Sequence, residues 1–128
     1  MGPIRVVVAH DSPTRAVWAE ALRGSGMALV GETSDGLAAL ELIRAHRPQV
    51  ALLGDWMPGM DGTAIVAAVR SEGLPTRVLM LTDYPPHTAA EDGSAEWLST
   101  QASRAEVVEA VLLCAEGAGA WTRHHRQI

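Results

Sequence analysis

Short apolar runs and helical periods alternate along this chain. Residues 4–9 form a compact run rich in β-branched side chains and read as a buried strand. The run closes on Asp11-Ser12-Pro13, a capping side chain followed by a proline suited to a helix's first turn. Val17, Ala21 and Leu22 then keep helical spacing until Gly24 and Gly26 interrupt it. A second strand is expected over 29–33. Ser34-Asp35-Gly36 turns the chain into a helix with Leu37, Leu40 and Ile43 on one face, ending before Pro48. The third strand covers 50–53, and a helix over about 63–71 places Ile65, Val66 and Val69 inward. A fourth strand at 78–81 and a weaker fifth at 96–99 complete the set. Between those two, residues 83–94 include Pro85-Pro86 and few helix formers, so at most about two helical turns are expected there. Ser103 and Glu106 form a capping box for a last helix that carries Val107, Val108, Val111 and Leu112 and stops near Gly117.

Five strands alternating with five helical segments predict an α/β fold, a doubly wound five-stranded parallel sheet covered on both faces. In such sheets function gathers at the carboxyl ends of the strands, beside the point where the strand order reverses. The residues at those ends are His10 and Asp11, Gly54 and Asp55, Thr82 and Asp83, and Ser99 and Thr100.

Composition narrows the picture. The chain has 128 residues, 48% of them apolar and 20% charged, which suits one globular domain with a real core. A formal charge of −5 argues against this segment gripping nucleic-acid phosphates itself. Basic residues gather only at Arg123 and Arg126, in a stretch read as a tail or the start of a linker, 120–128, after a domain spanning 1–119. Cys114 is the single cysteine, so no internal disulfide forms and a reducing cytoplasm fits. No apolar stretch approaches the ~20 residues of a membrane helix. A flavin- or nucleotide-binding role is disfavoured because His10-Asp11-Ser12-Pro13, not a glycine-rich phosphate loop, follows the first strand.

The strand ends carry a resemblance. From Ile4 to about Gly119 the sequence resembles the receiver domains of bacterial response regulators, of the kind that precede a LuxR/NarL-like helix-turn-helix output. Its most specific element is Met57-Pro58-Gly59-Met60-Asp61-Gly62, directly after the third strand. Residues 31–42, 47–53 and 77–82 and the capped last helix support it in order and spacing. The resemblance implies a flavodoxin-like (βα)5 fold with a shortened fourth helix, because 18 positions separate Thr82 from Thr100, about one helical turn fewer than the family's usual spacing. It also implies a phosphorelay chemistry. In the family, two acidic residues after the first strand hold a divalent metal, and an aspartate ending the third strand accepts the phosphoryl group. A Thr or Ser after the fourth strand and a Lys after the fifth bind its oxygens.

Position by position, this chain departs from that set. His10 stands in the first acidic place and only Asp11 remains of the pair; Gly54 stands in the phosphoacceptor place; Thr82 is retained; Thr100 stands where the lysine belongs. Two carboxylates and their counter-charge are gone together, so magnesium binding is expected to be weak or absent and no catalytic residue is assigned. The expectation is an atypical receiver, not an enzyme, signalling without phosphorylation, with DNA bound only through a separate output domain absent from these 128 residues. Its input would be a small ligand, a partner protein or constitutive dimerisation.

Several residues carry two readings. Asp55 is a displaced phosphoacceptor if the end of the strand bulges, and points away from the pocket if side chains keep alternating. His10 pairs with Asp11 or with backbone; two ligands make no metal site. Trp56 packs over its loop or contacts a ligand or partner. Trp97 occupies the place of the family's switch aromatic. A homodimer is expected through the last helix and the first, where Trp18 is placed near the outer side.

Overall fold

The computed structural model describes residues 2–83 and 95–117. Within them lie strands β1 (Arg5–Ala9), β2 (Ala28–Thr33), β3 (Val50–Gly54), β4 (Arg77–Leu81) and β5 (Glu96–Leu98), with helices α1 (Arg15–Gly24), α2 (Gly36–His46), α3 (Gly62–Ser71) and α4 (Arg104–Glu116). The strands pair in parallel in the order β2-β1-β3-β4-β5. This is the doubly wound sheet that the alternation of runs and periods predicts. The chain leaves β1 toward one edge and returns to build β3, β4 and β5 toward the other, which opens a crevice at the carboxyl ends of β1 and β3. The expected short helix within 83–94, apart from Asp83, and the expected tail over 120–128 lie outside the described residues.

Alternation along the central strands divides the core. Val50 and Leu52 join Val6, Val8, Leu79 and Leu81 beneath α1 and α4, where Trp18, Leu22, Val107, Ala110 and Val111 meet them. Ala51 and Leu53 turn the other way, with Val78 and Met80, toward Leu40 and Ile43 of α2 and Ile65, Val66 and Val69 of α3. Cys114 belongs to the first cluster; burial, with the Glu96 carboxylate beside it, pushes its thiol up to about 12. Among the described residues no helix is long and apolar enough to cross a membrane.

Local chemistry sets the helix ends. Asp35 caps α2 by accepting from the Ala38 N–H at 3.0 Å, and Asp61 caps α3 through the Ala64 N–H at 2.8 Å. Ser103 and Glu106 complete the expected box on α4, at 3.1 Å and 2.8 Å. The first helix departs from expectation. It begins at Arg15 with no side-chain cap, because Ser12 instead accepts from the Thr14 N–H in the turn ahead of it.

Three side-chain placements are corrected. Trp18 is 2% exposed and lies in the core, not on the outer side of α1: it stands four residues before Leu22 and so shares that helix's inward face. Val17, one residue back, is turned out to solvent. Leu37 and Leu112 are exposed too, since α2 buries Ala39, Leu40 and Ile43, and α4 buries Val107, Ala110, Val111 and Cys114.

Candidate functional site

His10 emerges from the end of β1 with its main chain held on both sides. Its N–H donates to the Thr33 carbonyl at the end of β2, and its carbonyl accepts from the Arg15 guanidinium at 2.9 Å. The ring is held just as firmly. Ser12 N–H donates to Nδ1 at 3.0 Å, which leaves the ring hydrogen on Nε2 to donate to the Leu81 carbonyl at 3.2 Å. Leu81 ends β4, and β3 lies between β1 and β4. The imidazole therefore crosses the end of β3. That crossing depends on Gly54: a Cβ there would lie 2.9 Å from His10 Cδ2 and 3.1 Å from Nε2. Trp18 closes the ring from the α1 side, edge to face at 4.9 Å between centroids. The Asp11 carboxylate stands 3.4 Å from the same Nδ1.

Past Gly54 the alternation of β3 lapses, and this decides where Asp55 points. The strand ends at Gly54 without a bulge, and Asp55 begins the turn. Its carboxylate swings back over the strand ends: Oδ2 accepts from the Thr82 hydroxyl at 2.8 Å, while Oδ1 accepts from the Trp56 N–H at 2.8 Å. Continued alternation, which would aim Asp55 away from the pocket, is thus not what occurs. Trp56 is 63% exposed, so simple packing over the loop does not describe it either.

Thr100, at the position expected for the lysine, is bound by a second carboxylate. Asp83 accepts from both the hydroxyl (2.9 Å) and the N–H (3.2 Å) of Thr100, and from the Ser99 hydroxyl at 3.1 Å. These bonds, the Thr100 hydroxyl first, hold the Asp83 carboxyl below the usual aspartate range. This role for Asp83 was not anticipated from the sequence. Its signal was there in a carboxylate after one strand facing two hydroxyls after the neighbouring one. Trp97 alternates with the buried Glu96 and Leu98 and stands on the other side of β5, partly exposed.

The loop over 57–62 locks the remaining side of the crevice. Gly36 N–H donates to the Pro58 carbonyl at 2.8 Å, and a Cβ on Gly36 would lie 1.7 Å from the Met60 carbonyl oxygen. Gly59 adopts φ +86°, and the Gly62 N–H returns to the Asp55 carbonyl at 2.9 Å.

A family model of the response regulator receiver domain matches residues 6–112. The chain belongs to the response regulator receiver family. It is 50% identical over 121 residues to the probable transcriptional regulatory protein NarL of Mycobacterium tuberculosis, covering 89% of this chain and 56% of that protein. It is 31% identical over 111 residues to Bordetella pertussis BvgA, whose name describes a transcription regulator of virulence factors, covering 83% of this chain and 53% of that protein. The solved signal receiver domain of the M. tuberculosis NarL superposes with a TM-score of 0.85 at 46% identity, covering 91% of this chain and 99% of that one. This receiver thus spans little more than half the length of the curated relatives named here.

The residues of this receiver's crevice do not fit the magnesium ion that the family resemblance implies. Magnesium takes near-octahedral oxygen ligands. His10, with both ring nitrogens hydrogen-bonded, stands in one of the two acidic places and leaves Asp11 as the single carboxylate of that pair. Among the described residues, no group of three or more His, Cys, Asp or Glu side chains converges to hold a metal ion.

Proposed function

We propose that this chain is an atypical receiver in a bacterial transcription regulator, passing on a signal without accepting a phosphoryl group at the end of β3. One observation carries the reading: the His10 ring, bonded across to Leu81, fills the space that any side chain at position 54 would need. Nucleophile, metal ligand and counter-charge are replaced together by Gly54, His10 and Thr100. The residues of the degenerate pocket, His10, Asp11, Gly54, Asp55, Thr82 and Thr100, have no catalytic role on this reading; His10 is bonded to Ser12 and Leu81, Asp55 to Thr82, and Thr100 to Asp83. The receiver unit comprises 1–119, with 120–128 leading toward a DNA-binding output domain. Input reaches it in the cytoplasm as a small ligand, a partner protein or constitutive dimerisation, with the exposed Trp56 as an aromatic contact and Trp97 in the place of the switch aromatic.

The test is intact-mass spectrometry after treatment with a small phosphodonor and magnesium. No phosphoryl increment is expected, and a persistent one would overturn the reading. A second reading has one observation in its favour, the 2.8 Å bond that brings the Asp55 carboxylate to the retained Thr82. On that reading Asp55 is the phosphoacceptor, and an increment on the wild type would vanish in Asp55→Asn.

A further inference from the structure

We infer that Asp55 is a built-in surrogate for a phosphoryl oxygen: its carboxylate takes the Thr82 hydroxyl and sets the ends of β3 and β4 in one fixed arrangement. The inference rests on the phosphorylation-independent reading above and adds what replaces the covalent signal. The retained Thr82 is the one oxygen-binding side chain of the family set still in place. Its hydroxyl donates to Asp55 Oδ2 at 2.8 Å, a charge-assisted bond to an anionic oxygen of the sort a phosphoryl group would offer. The carboxylate is itself fixed, since Oδ1 accepts from the Trp56 N–H and the Asp55 carbonyl accepts from Gly62 N–H. Asp55 therefore has little freedom to let Thr82 go.

The clamp continues outward. Thr82 N–H donates to the Leu98 carbonyl on β5 at 2.9 Å, and Asp83 next to it holds Thr100 and Ser99 beyond β5. Two successive carboxylate–hydroxyl links thus stitch the carboxyl ends of β3, β4 and β5 together. The junction is bonded across without a modification. Asp55 acts as a positioning residue, through Thr82.

Hydrogen–deuterium exchange on the full 128-residue chain tests this, comparing wild type, Asp55→Ala, Thr82→Val and the double variant. The readout is the Thr82 amide, which is bonded to Leu98 and not to Asp55. Each single change is expected to speed its exchange about tenfold, the double variant no more than either single, and Thr82→Ser to stay near wild type. Additive effects, or unchanged exchange in Asp55→Ala, would overturn the clamp. If circular dichroism shows Thr82→Val unfolded, Asp55→Asn with Thr82→Ala makes the same cycle. Intact mass of the same samples separates the two ideas. After treatment with phosphodonor and magnesium, a phosphoryl increment removes the phosphorylation-independent reading and the surrogate role that rests on it, whereas additive exchange without an increment removes the clamp alone.

Discussion

His10 and Gly54 are one unit of packing, although they lie on different strands. The ring reaches Leu81 only because nothing projects from position 54, and a Cβ there would press to 2.9 Å on its edge. Reintroducing the family's aspartate by Gly54→Asp is therefore expected to cost about 1–3 kcal/mol by overpacking. Removing the ring in a His10→Ala background should recover much of that loss, and urea denaturation of the two single variants and the double measures the coupling. Asp83 carries a pH-dependent link at the same scale. Its carboxyl sits below the usual range when folded, so its contribution is present above the ordinary aspartate value and lost as pH falls through the lower folded value. Thr100→Val should leave a chain whose thermal midpoint falls less between about pH 4 and pH 2 than the wild type's. Equal slopes would show that the Asp83–Thr100 bond is not the source.

Elements were more legible in the sequence than the directions of their side chains. The apolar runs of β1, β3 and β4 are buried along nearly their whole length, so run and strand coincide. The box of Ser103 and Glu106 and the stop before Pro48 rest on local hydrogen-bond chemistry, and both stand. Trp18 was misplaced because a helix period does not say which face meets the sheet. The turn of Asp55 toward Thr82 was hidden because alternation holds only within a strand, and β3 stops one residue earlier. The joint between α2 and the loop over 57–62 is where these elements meet most closely. Gly36→Ala would drive a methyl group into the Met60 carbonyl, and a loss of about 3 kcal/mol or more is expected in chemical denaturation. A near-neutral substitution would mean that loop and helix part easily.

At the scale of the molecule, the outer surface of α1 and α4 carries Val17 and Leu112, both exposed, on two helices that pack side by side. With Trp18 committed to the core, these two exposed side chains are the ones available to the expected homodimer, beside the partly buried Val108 and Leu113. Sedimentation at high micromolar concentration is expected to show a dimer that Leu112→Glu converts to monomer; a wild-type monomer throughout would count against pairing. The central claim is the proposed one for the carboxyl ends of the strands, that His10, Gly54 and Thr100 stand in the places of a phosphoryl-transfer site's groups. Its most direct test is the intact mass of the wild-type chain after incubation with a small phosphodonor and magnesium, read beside Asp55→Asn treated in the same way. The account predicts one unchanged mass for each protein. A stable gain of one phosphoryl group on the wild type would contradict it, and loss of that gain in Asp55→Asn would name the residue responsible.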